Sequence, residues 1–214
     1  MALTATSSVR QEIINFFRNP VQSVASVNQN NIFYSCYQLE LLSNGEDRYT
    51  QMCKQISHVI SSKDQRAIIY VDFVKDAAPL AISLRQAGYS TCSYHGQKLS
   101  SHDKLQSIEA WRNGSVKVMV CTTAFGMGTD QPDVEIVIRI RCLPTLESMV
   151  QEFGRAERDG RLAKGVLLYQ ESDFYHATFW SKSDKGVLHS FSQSWRYVIS
   201  MCCALITIVY NSTV

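Results

Sequence analysis

Between residues 67 and 170 short apolar runs alternate with longer amphipathic stretches, and this alternation leaves few folds open to the chain. AIIYV (67–71), STCSY (90–94), VKVMVC (116–121), VEIVIRI (134–140) and GVLLYQ (165–170) are short and bounded by turn-forming residues, which fits strands better than helices. The spans 75–87, 101–112 and 146–157 between them have helical spacing. Strands that are apolar on both sides need cover on both faces, and strands alternating with helices run parallel. The pattern predicts an α/β fold with a mainly parallel sheet between two helical layers. Upstream, Tyr49, Met52, Cys53, Ile56, Val59 and Ile60 predict a helix over 46–62. A further helix over 8–18 starts behind Ser7 and Ser8, which can cap it, and ends at Asn19 and Pro20. Two strand-like runs, SVASV (23–27) and IFYSCYQL (32–39), flank a polar turn at 28–31.

Ligands of such sheets bind in the loops beyond the carboxyl ends of the strands. Three of those loops carry chemistry. In TTAFGMGTDQPD (122–133), Gly126 and Gly128 let the backbone approach a phosphate or sugar, beside the hydroxyls of Thr122, Thr123 and Thr129 and the carboxylate of Asp130. An ordinary tight turn explains a lone GxG equally well. In HGQKLSSHDK (95–104), Ser100 or Ser101 can cap a helix whose free N–H groups suit an anion. His95 and His102 lack metal-ligand spacing, so no metal is implied. In QEFGRAERDG (151–160), a continuous helix would put Gln151, Arg155 and Arg158 on one face, with Glu152, Glu157 and Asp159 nearly cancelling their charge. A solvated helix end with local ion pairs is the alternative.

Composition decides less. With 21 Lys and Arg against 19 Asp and Glu, the formal charge of +2 neither predicts a nucleic-acid partner nor excludes one. Cys36, Cys53, Cys92, Cys121, Cys142, Cys202 and Cys203 are scattered and lack a CxxC pair, which favours reduced thiols over a disulfide frame or zinc site. No secretory signal is read at the start. The uncharged run YVISMCCALITIVY (197–210) is shorter than the roughly 20 residues that a bilayer core requires. The first strand is not followed by GxGxxG, which weakens a small-molecule dinucleotide enzyme.

Five segments share an order that points further. ALTAT (2–6), AIIYV (67–71), YHGQKL (94–99), CTTAFGMGTDQPDV (121–134) and QEFGRAERDG (151–160) together resemble the second RecA-like lobe of RecQ-family DNA helicases. ALTAT is similar to the family's motif III and AIIYV to motif IV, while the last two resemble motifs V and VI, the most specific of the set. The resemblance covers about residues 1–180.

It implies a three-layer α/β/α RecA-like domain over 21–182, preceded by a motif III remnant and linking helix at 1–20 and followed by a truncated or divergent segment at 183–214. It further implies ATP bound between two lobes, with hydrolysis driving 3′ to 5′ movement on single-stranded or forked DNA. By the same resemblance, Arg155 and Arg158 are the catalytic arginines facing the triphosphate, with Arg158 the better finger candidate. Gln151, Gly128 and Asp130 are then the ATP-binding residues, with Asp130 near the ribose. His95, Gly96, Lys98, Thr122, Phe125 and Gly126 are expected to meet DNA. The partners implied are DNA and a first RecA-like lobe in cis or trans, with Mg²⁺ held by that lobe, no membrane, and a nuclear or prokaryotic cytoplasmic setting.

Several features depart from the family pattern. There is no GxxxxGK[ST] loop and no DExH sequence, so the chain alone is expected not to hydrolyse ATP and reads as a fragment or degenerate copy. Glu157 stands where the family usually has Gly, Thr129 replaces an apolar residue, and Arg139 stands in place of a histidine. Adjacent Cys202 and Cys203 do not match the family's zinc site, and the winged-helix and HRDC domains are not matched. A non-catalytic nucleic-acid or protein-binding remnant is the alternative function.

Overall fold

The computed structural model describes residues 7–16, 31–42, 45–96, 100–126, 133–141, 146–156 and 160–173. In chain order these form α1 (Ser7–Phe16), β1 (Ile32–Gln38), α2 (Arg48–Val59), β2 (Ala67–Tyr70), α3 (Val74–Gln86) and β3 (Thr91–Tyr94). There follow α4 (Ser101–Arg112), β4 (Val118–Cys121), a 3₁₀ turn (Thr123–Gly126), β5 (Ile136–Ile140), α5 (Leu146–Phe153) and β6 (Ala163–Tyr169). The expected run SVASV, the motif III segment ALTAT and the whole of 183–214 lie outside the described residues.

All strand pairs are parallel, in the order β1-β6-β5-β2-β4-β3. β2, β4 and β5 are buried at every position, as strands sandwiched between helices must be. Side chains alternate across the sheet. Ala67, Ile69, Val118, Val120, Ile136 and Ile138 pack with Met52, Cys53 and Ile56 of α2 and Leu80 and Leu84 of α3. Ile68, Tyr70, Met119, Cys121 and Val137 face the other way, toward Trp111 of α4 and Met149 and Phe153 of α5. The sheet thus lies between α2 and α3 on one side and α4 and α5 on the other, the expected α/β/α arrangement. Each fully buried aliphatic side chain contributes about 1.5–3 kcal/mol, so the two apolar faces dominate the stability.

Caps and close approaches seat the helices. The carboxylate of Asp47 accepts from the N–H groups of Tyr49 and Thr50, both at 3.0 Å, and starts α2. Ser100 Oγ accepts from Asp103 N at 3.1 Å and starts α4, as the sequence suggests. At the other end of α4, Arg66 lies over the Trp111 ring at 4.3 Å, donates to Trp111 O at 2.6 Å and pairs with Asp133 at 2.5 Å. One guanidinium thereby ties the start of β2 to the last turn of α4. α5 sits so close to β6 that a Cβ on Gly165 would lie 3.0 Å from the Phe153 ring and 3.1 Å from that of Tyr34.

α5 is shorter than the pattern predicts. It ends at Phe153, and Gly154–Ala156 continue as a turn with Arg155 N donating to Glu152 O at 3.2 Å and Ala156 N to Phe153 O at 3.0 Å. Gly154 has the lowest helix propensity after proline, and bonds to the third residue back replace the helical ladder there.

Candidate nucleotide and nucleic-acid face

Because every strand runs the same way, the segments following β2, β3, β4 and β5 emerge at one mouth of the sheet. The register makes this concrete. Tyr94 pairs with Cys121, Cys121 with Tyr70, Tyr70 with Arg139 and Arg139 with Leu167, a single row near the carboxyl ends.

At one end of the row the turns after β3 and β4 touch. A Cβ on Gly96 would lie 3.4 Å from that of Ala124, and Thr122 N donates to Tyr94 O at 3.3 Å. Lys104 of α4 donates its Nζ to Gly96 O at 2.7 Å, fixing the first turn against the helix that follows it. His95 and Thr122 are buried and Gly96 is exposed. Phe125 is only 2% exposed. It packs edge-on against Tyr94 at 5.1 Å and Trp111 at 6.2 Å. The aromatic anchors the turn from beneath, so its ring is not among the groups this turn offers at the surface. The structure thus brings together His95, Gly96, Thr122, Phe125 and Gly126, whereas Lys98, Gly128 and Asp130 lie outside the described residues.

The arginine segment is arranged differently from the expected shared helix face. Gln151 is exposed on α5, Arg155 is half-buried in the turn beyond it, and Arg158, Glu157 and Asp159 lie outside the described residues. The buried stripe of this segment is instead Met149, Glu152, Phe153 and Ala156, spaced i, i+3, i+4 and i+7. Among the described residues Arg155 makes no ion pair, and its buried Nε has no hydrogen-bond partner.

Glu152 enters the core on that stripe and meets Arg139. Their Oε1 and Nη1 are 3.5 Å apart. Arg139 Nη2 also pairs with Asp72, just beyond β2, and its Nε donates to Arg141 O at 3.2 Å. Arg141 adopts φ 73°, the left-handed region that β-carbon-bearing residues occupy only when neighbours hold them there. Its Nε lies 2.8 Å from Asp173 and 3.9 Å from Asp72. Asp173 in turn accepts from Gln170 N at 2.9 Å. Alternating charges therefore stitch the tips of β2 and β5, helix α5 and the segment after β6 together.

Burial pushes the Glu152 carboxyl up to about 7, against the opposing pull of the Arg139 and Arg155 guanidiniums. Burial likewise raises the Tyr70 hydroxyl and the Cys121 thiol well above their ordinary values. Two of these residues carried a signal in the sequence. Arg139 is a charge inside the apolar run VEIVIRI, where only a paired arginine can be buried. Glu152 falls on the apolar period of α5. Asp72, Arg141 and Asp173 gave none, because their pairing depends on strand order.

Chemically, this mouth offers a backbone turn able to approach a ligand closely at Gly96 and a guanidinium at Arg155 that no described carboxylate neutralises by contact. Such groups suit phosphate. Among the described residues no group of three or more His, Cys, Asp or Glu is gathered to hold a metal ion.

A model of the helicase conserved C-terminal domain matches residues 48–160. The chain is 35% identical over 185 residues to the ATP-dependent DNA helicase hus2/rqh1 of Schizosaccharomyces pombe, covering 84% of this chain and 13% of that protein. It is 33% identical over 177 residues to the ATP-dependent DNA helicase Q1 of Mus musculus, covering 82% and 26%. With the ATP-dependent DNA helicase RecQ of Pasteurella multocida the identity is 32% over 179 residues, covering 81% and 27%. The chain thus spans between 13% and 27% of the length of these relatives. Among solved structures, a DEAD box protein from Methanococcus jannaschii superimposes with a TM-score of 0.59 at 18% identity, over 79% of this chain and 45% of that one. Mycobacterium smegmatis helicase Lhr, bound to ssDNA and AMP-PNP, gives 0.56 at 20% identity, over 69% and 21%. At such identities the likeness is one of fold, and the fold is that of RecA-like helicase domains.

Proposed function

The chain belongs to the helicase conserved C-terminal domain family, as a RecQ-type helicase lobe, and from that membership we propose that it is the second lobe of an ATP-dependent 3′ to 5′ DNA helicase. In this reading the RecA-like unit spans 21–182 and closes on a first lobe that brings the phosphate loop, the DExH carboxylates and Mg²⁺. Arg155 and Arg158 meet the triphosphate, Gln151 steadies the nucleotide side, and the backbone at Gly128 and Asp130 approaches the ribose. Single-stranded DNA tracks the turns after β3 and β4, along His95, Gly96, Lys98, Thr122 and Gly126. The DNA substrate places the work in a nucleus, or in the cytoplasm of a prokaryote.

The observation that supports this most is the state of Arg155. A half-buried guanidinium with no ion-pair partner among the described residues is costly unless something anionic completes it. A phosphate supplied across a cleft does so. An arginine reaching a transferring phosphoryl group contributes about 10³ to 10⁵ in rate in nucleotide hydrolases.

The test is DNA-stimulated ATP hydrolysis by the chain alone and by the chain fused to a RecQ-type first lobe. Turnover in the fusion alone, falling by two orders of magnitude or more in Arg155→Ala or Arg158→Ala, is the expected result. A fusion that binds single-stranded DNA and never turns over would instead leave a non-catalytic nucleic-acid-binding lobe.

A further inference from the structure

The tip of β2 presents a ring to which no ligand has been assigned. Phe73, three residues past Tyr70, is 45% exposed at the mouth of the sheet. Two cations attend it. Lys75 Nζ of α3 lies 5.2 Å from the centre of the ring, and the guanidinium of Arg141, just beyond β5, lies 5.9 Å from it. Both fall within the roughly 6 Å over which a ring attracts a cation. A lone exposed phenylalanine is ordinary. One with cations gathered from a helix and from a neighbouring strand tip has the parts of a nucleobase platform, a face for the base and charge for its phosphate.

The ring is supported on both sides in sequence. Before it, Asp72 pairs with Arg139, and Val71 N donates to Cys121 O at 2.8 Å. After it, Asp76 N donates to Phe73 O at 3.0 Å, and the Asp76 carboxylate accepts from Tyr49 Oη at 2.8 Å, which fixes the first turn of α3. Asp173 holds Arg141 Nε at 2.8 Å, so that cation stays beside the ring. Lys75 is exposed and makes no ion pair among the described residues, which leaves its charge available. The carboxylates nearby, Asp72 and Asp173, are taken up by Arg139 and Arg141. A site assembled beforehand loses little freedom when its ligand arrives.

β2 lies between β4 and β5, about 4.8 Å from each, so Phe73 follows on from the turn that carries Thr122 and Gly126. We propose that Phe73, Lys75 and Arg141 form a stacking site for one unpaired base of single-stranded DNA, with Lys75 on the adjoining phosphate. The site rests on the strand path proposed above and extends it past the turns after β3 and β4. Every base has a face to stack, so the site is indifferent to sequence.

The experiment titrates the full chain with fluorescein-labelled oligo(dT), followed by anisotropy, and with strands carrying 2-aminopurine at successive positions, whose fluorescence stacking quenches. Quenching at one position by the wild type and its loss in Phe73→Ala are expected. Affinity should fall about fivefold or more in Phe73→Ala and hold in Phe73→Tyr. Lys75→Gln should reduce the slope of log affinity against log salt by about 0.7. Binding as tight in Phe73→Ala as in the wild type overturns this site and leaves the path along β3 and β4 standing. Should the variants fail to fold, the wild type decides, because a bound strand left unquenched at every position overturns the proposal. ATP that abolishes the quench while the strand stays bound assigns the ring to adenine and overturns it equally. A wild type that binds no strand overturns this site together with the strand path.

Discussion

The guanidinium of Arg139 and the carboxylate of Glu152 face each other 3.5 Å apart, with 1% and 7% of their side chains exposed. Arg139 sits in a row of the sheet whose other members, from Tyr94 to Leu167, are aromatic, thiol or aliphatic, and Glu152 reaches it from α5. Asp72 completes the balance from the tip of β2. A charge in such a place is tolerated only while its partners remain.

Arg139→Met tests that balance. The substitution keeps the volume roughly and the packing on α5, but it leaves the buried Glu152 without its Arg139 counter-charge and the exposed Asp72 with Arg141 alone. Removing one partner of a buried ion pair costs about 3–5 kcal/mol, and a loss near the lower end is expected because Asp72 is more exposed than Glu152. Arg139→Met combined with Glu152→Gln should recover part of that loss, since the stranded charge is gone. Urea unfolding of the wild type, Arg139→Met, Glu152→Gln and the double variant measures both numbers. Independent, additive losses would show that the pair does not interact.

Much of this fold was legible beforehand, and the reasons are physical. The five runs from AIIYV to GVLLYQ became β2 to β6 within a few residues, because a strand buried on both faces must be apolar throughout. The boundary of α5 was misplaced by four residues, because the apolar period continues through Ala156 while the backbone turns at Gly154. Phe125, expected with Thr122 and Gly126 at the DNA backbone, has its ring in the core, and a sequence cannot tell which side of a turn faces Trp111. The Asp72–Arg139 and Arg141–Asp173 pairs join positions 67 and 32 residues apart, and only the order β6-β5-β2 brings them together.

Stability should fall as pH rises through neutrality. The Glu152 carboxyl titrates at about 7 in the folded chain against 4.5 as its ordinary value. Between those values the folded state holds the proton more tightly than the unfolded one. The contribution is fully present below 4.5 and is lost as pH climbs through about 7. A gap of about 2.5 pH units corresponds to on the order of 3 kcal/mol. Melting temperatures measured from pH 5 to 8 should decline for the wild type and decline less in Glu152→Gln; identical slopes would assign the pH dependence to other groups.

Gly165→Ala should be destabilising although alanine suits a strand better than glycine. Its Cβ would stand 3.0 Å from Phe153 Cγ and 3.1 Å from Tyr34 Cδ1, whose rings are 5.7 Å apart at the centroids. Overpacking of this kind costs about 1–3 kcal/mol. The smaller Phe153→Leu side chain should make room, so the double variant loses less than the two single losses added together. Chemical denaturation decides it, and a Gly165→Ala variant as stable as wild type would mean that α5 is not held against β6 as described.

Thiol chemistry reports on the sheet independently of any ligand. Cys121 is fully buried in the row beneath α5, and burial holds its thiol well above the ordinary value. Cys92 is pushed up to about 11, with its sulfur 3.4 Å from Met119 Sδ. Only the thiolate is a good nucleophile, so at pH 8 both should be nearly inert to iodoacetamide in the native chain. Urea should expose them together, because both lie against Met119 and the core of the α4 side. Peptide mapping by mass spectrometry after native and denatured labelling gives the comparison residue by residue. Rapid native labelling at Cys121 would mean that the α5 layer opens readily, and the buried charge row beneath it would then meet water.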